Sequence, residues 1–195
     1  MNHKTNLIKW LAIITMTIDH IGYFMFPGLV WLRIIGRIAF PCFLYTTIQG
    51  EKETKNFKAY LARLLITAVL SMLVTGLSGN FLNILFSLSL FAVSLRDRRL
   101  IVPALLLSHF TEYGIYGFLL GWGIKIMVDH HREIGLLFLV LLHATLIASI
   151  QFYTIFAVIL LLLPKGINLP RVPKVFGYMY YPLHQLILFL IGNFL

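Results

Sequence analysis

Nine apolar stretches, separated by short polar or Gly/Pro-bearing intervals, run through the whole chain. They cover residues 7–26, 29–49, 57–75, 81–95, 100–110, 116–128, 134–150, 152–163 and 175–195. A bilayer core demands about 20 apolar residues per helical span. The longer stretches therefore predict transmembrane helices. Residues 100–110 and 152–163 are too short to cross upright, which predicts tilted, re-entrant or half-spanning helices there. The first stretch has a short basic flank like a signal peptide. It lacks a small-residue cleavage site and carries Asp19 and His20, so an uncleaved span is expected. The pattern predicts an all-α polytopic membrane bundle of about nine transmembrane helices, with eight to ten allowed. Residues 1–195 carry no internal repeat, low-complexity tract or linker, and are expected to form a single domain.

Composition removes the soluble alternatives. Hydrophobic residues make up 59% of the chain and charged residues 12%, against roughly a quarter charged in ordinary soluble domains. Mean hydropathy is +0.89. Disorder, collagen, coiled coil and disulfide scaffolds are excluded on the same grounds. The single cysteine, Cys42, lies within an apolar run; it has no intrachain partner, and no neighbour activates it as a nucleophile.

A net charge of +9 would point to nucleic acid in a soluble protein. Its distribution decides otherwise. With the N-terminus in the cytoplasm, the inner connections are 51–59, 96–99, 129–133 and 164–174. They hold Lys52, Lys55, Lys58, Arg96, Arg98, Arg99, Arg132, Lys165, Arg171 and Lys174. The outer connections, near Pro27, at 76–80, at 111–114 and near Gln151, hold no Lys or Arg. This is the positive-inside pattern of a multi-pass protein of the cytoplasmic membrane, and it leaves no role for nucleic acid. Nine spans put the C-terminus outside.

Ionisable residues inside spans cost about 2.5–3.5 kcal/mol each on insertion scales, and persist where they pair or act. The first span carries Asp19 and His20, and the second Arg33 and Arg37. A tight turn at Pro27-Gly28 makes these spans an antiparallel hairpin. Counting from Pro27 at 1.5 Å per residue, Asp19 lies in depth between the two arginines, roughly 12 Å below the outer turn. Arg33 and Arg37 are i and i+4 and share a face. Adjacent Asp19 and His20 diverge by about 100°, so Asp19 serves the arginines and His20 points elsewhere. One carboxylate against two guanidiniums leaves spare positive charge unless further acceptors complete the cluster. The cluster reads either as structural glue for the hairpin or as a functional site. Two arginines are a costly tie where Ser or Asn would serve, which favours function. Pro41 frees a backbone carbonyl and kinks the second span.

Other candidates are weaker. Tyr181 and His184 share a face of the last span with Gly177, and as a lone residue His184 reads first as a satisfied core histidine. His143 reads the same way. His109 and Glu112 stand where an acceptor from outside would arrive, but read first as a polar outer helix end. Asp129-His130-His131 looks like a metal site, but adjacent side chains on a helix diverge, so a solvated loop or cap is expected and no metal. No CxxC, HExxH, GxSxG or P-loop occurs.

Three motifs carry a resemblance. They are Thr17-Ile18-Asp19-His20-Ile21-Gly22, the run Leu32-Arg33-Ile34-Ile35-Gly36-Arg37-Ile38-Ala39-Phe40-Pro41-Cys42-Phe43, and Tyr180-Tyr181-Pro182-Leu183-His184. Together with Tyr60-Leu61-Ala62-Arg63-Leu64 they resemble the TraX family from the first span to the last. The named activity of that family is acetylation of the N-terminus of F-type pilin. It is similar to a wider class of membrane-embedded acyltransferases that take an acyl group from cytoplasmic acyl-CoA and use an intramembrane histidine.

The resemblance implies an acyl-CoA-dependent acyltransferase with acetyl-CoA as donor. The acceptor would be an amine or hydroxyl in or across the membrane: a peptide N-terminus, a glycan or a lipid. Acyl transfer to such a group needs a base, which a histidine supplies, and His20 is the first candidate. It also needs positive charge beside the developing oxyanion, which Arg37 or Arg33 would supply with Asp19 orienting them. Tyr181 and His184 would position donor or acceptor. Arg63, Arg96, Arg98, Arg99 and Lys174 are candidates for the phosphates of CoA, though topology alone also accounts for basic residues at the inner face. Two other classes fit the intramembrane charges: a small proton-coupled transporter, against which the missing inverted repeat counts, and a noncatalytic membrane assembly factor.

Overall fold

The computed structural model of the chain describes residues 3–75, 82–129, 131–163, 167 and 169–192. The described residues form ten α-helices: α1 (His3–Phe24), α2 (Val30–Gly36), α3 (Ala39–Glu53), α4 (Phe57–Thr75), α5 (Ile84–Arg96), α6 (Ile101–Ser108), α7 (Gly114–Val128), α8 (Arg132–Ala144), α9 (Ile155–Leu162) and α10 (Lys174–Gly192). Short 3-10 turns, Arg98–Leu100 and Ile150–Thr154, lead into α6 and α9. No strand is formed among the described residues beyond one isolated bridge, Leu82 to Thr111.

Nine apolar stretches become ten helices because the second is broken. α2 ends at Gly36 and α3 starts at Ala39, with Arg37 and Ile38 between them. Pro41 dictates the place. Proline lacks the amide hydrogen that would bond the carbonyl four residues back, and its ring crowds that carbonyl. Four residues before Pro41 is Arg37. The kink expected from Pro41 is thus a break centred on a site residue.

Other boundaries moved for local reasons. The helix expected from residue 81 starts at Ile84, because Asn83 caps it by accepting the Leu85 amide hydrogen at 3.1 Å. The stretch 134–150 is helical only to Ala144 and continues as turns. The expected outer connection 76–80 lies outside the described residues, as do residues 193–195.

Among the described residues three helices are long and apolar enough to cross a membrane: His3–Phe24, Phe57–Val74 and Val175–Gly192. Large apolar side chains cover the outside of the bundle, with Leu73 76%, Val175 73% and Val102 63% exposed. Such a surface belongs in lipid, and the protein is a membrane protein.

α1 packs on α2, α3 and α10, α4 on α5 and α10, and α7 on α8. Small residues let these helices approach, since lipid offers no hydrophobic drive to press them together. A methyl at Gly121 would meet the Phe91 ring at 2.8 Å. The helix ends sort onto two faces. One holds the N-terminus and is laced by cross-links: Lys4 Nζ to the Leu161 carbonyl at 2.7 Å, Trp10 Nε1 to the Pro170 carbonyl at 2.8 Å, and an ion pair between Arg96 and Glu51. The opposite face holds the turn after α1, the Leu82–Thr111 bridge and the end of α10, where Gly192 abuts the Phe24 carbonyl.

Candidate active site

The α1–α2 hairpin delivers the expected charge cluster. Gly36 presents a bare Cα to the Asp19 side chain, and a methyl there would sit inside the carboxyl group. On the same hairpin, a methyl at Gly22 would stand 2.8 Å from Leu32 Cβ. Held this close, Asp19 accepts from both arginines: Oδ2 from Arg33 Nη1 at 3.0 Å and Oδ1 from Arg37 Nη2 at 2.8 Å. Arg33 Nη1 also donates to the Asp19 carbonyl at 3.2 Å, and Arg37 Nε to the Arg33 carbonyl at 3.2 Å. Arg37 is buried, with its guanidinium 5.8 Å from the Tyr113 ring centre, while Arg33 lies 5.0 Å from that of Tyr23.

The spare positive charge expected of this cluster has a second carboxylate within range. Glu112, in the connection between α6 and α7, brings a second carboxylate into electrostatic range of Arg37, Asp19 and Arg33, and accepts a hydrogen bond from the Ile84 amide. Among the described residues Glu112 makes no ion pair with either guanidinium. Glu112 is held there by its backbone: its N–H donates to the Leu82 carbonyl at 2.8 Å, and the Leu82 N–H to the Phe110 carbonyl at 2.9 Å. The sequence placed Glu112 at an outer helix end; the bridge with Leu82 turns that end over the hairpin.

His20 diverges from Asp19 as helix geometry requires, and it meets His184. His20 Nδ1 and His184 Nε2 are 2.6 Å apart, and His184 Nδ1 is 2.7 Å from the Tyr180 carbonyl. A carbonyl only accepts, so the hydrogen of neutral His184 sits on Nδ1. Its Nε2 then accepts the hydrogen of His20 Nδ1, which leaves His20 Nε2 with a free lone pair. The ring of His184 stacks on Tyr180, centroids 4.9 Å apart, and the Tyr180 hydroxyl is 2.8 Å from Thr17 Oγ1. His184 is therefore no lone core residue. Tyr181 lies edge-on to His20 at 6.2 Å, and its hydroxyl bonds Gln185, itself tied to Ser71.

Two cavities adjoin at this point. A small one of about 20 Å³ is lined by Asp19, His20, Gly36, Ala39, Glu112 and Tyr113 together with Met16, Phe43, Ile84 and Tyr181. The last four residues also line a larger cavity of about 320 Å³. That cavity extends to Lys9, Glu53, Thr54, Arg63, Arg171 and Pro173, on the face that carries the N-terminus. A partition of four side chains thus separates the histidine from an opening at the basic face.

The five basic residues expected to meet phosphates divide. Arg63 lines the large cavity, with its guanidinium 5.7 Å from the Tyr178 ring centre and its Nε buried without a hydrogen-bond partner among the described residues. Arg96, Arg98 and Arg99 do not line it. Arg96 pairs with Glu51, and Arg98 and Arg99 are exposed in the turn before α6. The Lys174 side chain lies outside the described residues. Lys9 and Arg171 take their place on the cavity wall. In the sequence Arg171 was one of many inner-face charges, and nothing there distinguished it.

Two other candidates are structural. His143 is fully buried, with Nδ1 at 2.7 Å from the Leu139 carbonyl and Nε2 at 2.7 Å from Thr154 Oγ1. Asp129 caps α7 and pairs with Lys125 and Lys52. Burial alone would push its carboxyl up, but the two ammonium groups outweigh burial and hold it below the usual range. His130 lies outside the described residues. Among the described residues no group of His, Cys, Asp or Glu is arranged to hold a metal ion.

Comparison with known proteins adds three findings. The family model described as TraX protein matches residues 4–192. The chain is 56% identical to an uncharacterized protein of Rickettsia prowazekii (strain Madrid E) over 22% of this chain and 18% of that one. It is 27% identical to a probable fimbrial assembly protein of Dichelobacter nodosus over 56% of each. The matches thus span 18% and 56% of those relatives' own lengths. No solved structure matches.

Proposed function

The chain belongs to the TraX family, and from that premise we propose that it is a membrane acyltransferase moving an acetyl group from acetyl-CoA to an amine or hydroxyl acceptor. The observation that carries this reading is the His20–His184 pair, whose His20 lines a small cavity parted by four side chains from the cavity that opens at the basic face. A neutral histidine with one nitrogen held as a donor and the other free is prepared to act as a base. A charged thioester such as CoA needs a basic mouth and an apolar throat. Lys9, Arg63 and Arg171 furnish the first, and Met16, Leu64, Ile84, Leu85 and Leu88 the second. On the positive-inside arrangement this mouth faces the cytoplasm.

The steps balance as follows. The acceptor nitrogen or oxygen bonds to the thioester carbonyl carbon while His20 Nε2 takes its proton. His184 Nε2 accepts the His20 Nδ1–H throughout, which holds the ring and eases the imidazolium charge. The carbonyl oxygen gains negative charge, stabilised by the Arg37 and Arg33 guanidiniums, which are held by Asp19 on the wall of the small cavity. The carbon–sulfur bond then breaks, and the leaving sulfur takes the proton from His20. A relative described as a probable fimbrial assembly protein fits an acceptor that is the N-terminus of a surface-fibre subunit.

The test is transfer from labelled acetyl-CoA by the purified protein in proteoliposomes, against a peptide amine and an alcohol. His20→Ala should lower transfer by about 10²–10⁴-fold, the span of a lost general base. His184→Ala should lower it less, with the loss in kcat rather than KM. Full activity in His20→Ala would end this reading.

A further inference from the structure

The small cavity holds an acid–base inventory larger than a simple acyl transfer needs. Besides His20 it is lined by two carboxylates. Asp19 is committed, since each of its oxygens receives a guanidinium within 3.0 Å. Glu112 is not. Among the described residues no ion pair reaches it, its one hydrogen bond comes from the Ile84 amide, and it is exposed on the face away from the N-terminus. Its backbone is pinned by the Leu82 bridge, so the carboxylate is a fixed fitting of the cavity.

Resting on the acyl-transfer reading, the geometry points to Glu112 as the residue that docks a protonated amine acceptor and takes its first proton, while His20 takes the second. The proton count demands such a group. An alcohol loses one proton on acylation, and that proton leaves on the thiol. An ammonium must lose two. The first must go before attack, because a nitrogen bearing three hydrogens has no lone pair. R–NH3+ enters against the Glu112 carboxylate and passes it one proton. Once donor and acceptor fill the site and displace water from it, the neutral amine and carboxylic acid are favoured over the desolvated ion pair. The amine nitrogen then bonds to the thioester carbon, His20 Nε2 takes the second proton, the carbon–sulfur bond breaks, and the sulfur leaves with that proton. The proton on Glu112 returns to water on the exposed face of that residue. The balance is ammonium plus thioester giving amide, thiol and one proton.

The groups facing Glu112 come from every element around it. They are Asp19 and His20 on α1, Arg33 on α2 and Arg37 at its end, Tyr113 beside it, and Tyr181 on α10. Arg33 and Arg37 favour the carboxylate and Asp19 opposes it.

The experiment is a pH profile of acetyl transfer from acetyl-CoA to a peptide with a free N-terminal amine, comparing wild type with Glu112→Gln between about pH 6 and pH 9.5. An α-amino group titrates near 7.7–8.0. At pH 6 the acceptor arrives charged, and Glu112→Gln should be slower by tenfold or more, with ~10²-fold the low end for a lost base. By pH 9.5 the amine arrives neutral, and the deficit should shrink to about threefold or less on that same titration. A deficit equal at all pH values, or none at pH 6, overturns the inference, because a purely structural role has no reason to track the titration of the acceptor. If Glu112→Gln fails to elute as folded protein, Glu112→Asp decides: a shorter carboxylate should keep the wild-type profile at a reduced rate, and a profile displaced toward high pH overturns the inference. Absence of any transfer by the wild type to any acceptor removes the acyltransferase reading itself, which is a separate outcome.

Discussion

Gly36→Ala is the smallest change that should disable the site. A methyl at position 36 would occupy the space of the Asp19 carboxyl group, overlapping Cβ, Cγ and Oδ1 together. Ordinary carbon contacts need about 3.5 Å, so Asp19 must move by an ångström or more. Its two ion pairs, at 2.8 and 3.0 Å, cannot follow together. Arg37 is tied back to the Arg33 carbonyl and buried, and Arg33 sits beside Tyr23 on another bearing. Widening the hairpin is resisted by the α1–α2 packing at Gly22 and Leu32. Overpacking typically costs about 1–3 kcal/mol, and stranding a buried ion-pair partner about 3–5 kcal/mol. A loss of at least about 1 kcal/mol is expected on that first figure. Misplacing catalytic groups by about 1 Å can also cost about 10²-fold in rate. The assay is thermal unfolding in detergent together with acetyl transfer. Gly28→Ala is the internal control, because a methyl there meets nothing within 4 Å. Wild-type unfolding and wild-type transfer in Gly36→Ala would refute the close-approach account.

Arg63→Ala should raise the KM for acetyl-CoA with kcat little changed, because Arg63 lines the cavity mouth away from His20; Arg98→Ala, exposed and off the cavity, should leave both unchanged. Kinetics with acetyl-CoA varied would check this, and equal effects from the two substitutions would contradict it. The Asp129 carboxyl is held below its usual range by Lys125 and Lys52. Its contribution to stability is complete above the unfolded carboxyl value of about 3.9 and is lost as pH falls below it. Melting temperature measured from pH 6 to pH 3 should drop less steeply in Asp129→Asn than in wild type; parallel curves would deny the linkage.

Much of the architecture was legible along the chain. Hydropathy is a local quantity, and a bilayer imposes one length scale on it, so nine stretches and their polarity emerged without any knowledge of packing. The hairpin was legible for the same reason. A turn at Pro27-Gly28 and a constant rise per residue place Asp19 between Arg33 and Arg37 by counting alone, and that is how the carboxylate is shared. The divergence of His20 from Asp19 also followed from helical periodicity. The family resemblance rested on the same residues.

What counting could not reach was each pairing between elements far apart in the chain. His20 and His184 are 164 positions apart, so a histidine that looked solitary acquired its partner only when α10 packed on α1. Glu112 came within range of the arginines because the Leu82 bridge folded its connection over the hairpin. Arg63 and Arg171 were separated from Arg96, Arg98 and Arg99 by the location of a cavity between helices. Sequence determined which residues form apolar helices and on which helix face the charged ones lie, because those depend on near neighbours. Tertiary packing alone decided which of them touch, because side-chain contacts between helices depend on how the helices rotate and cross, and no local pattern encodes that.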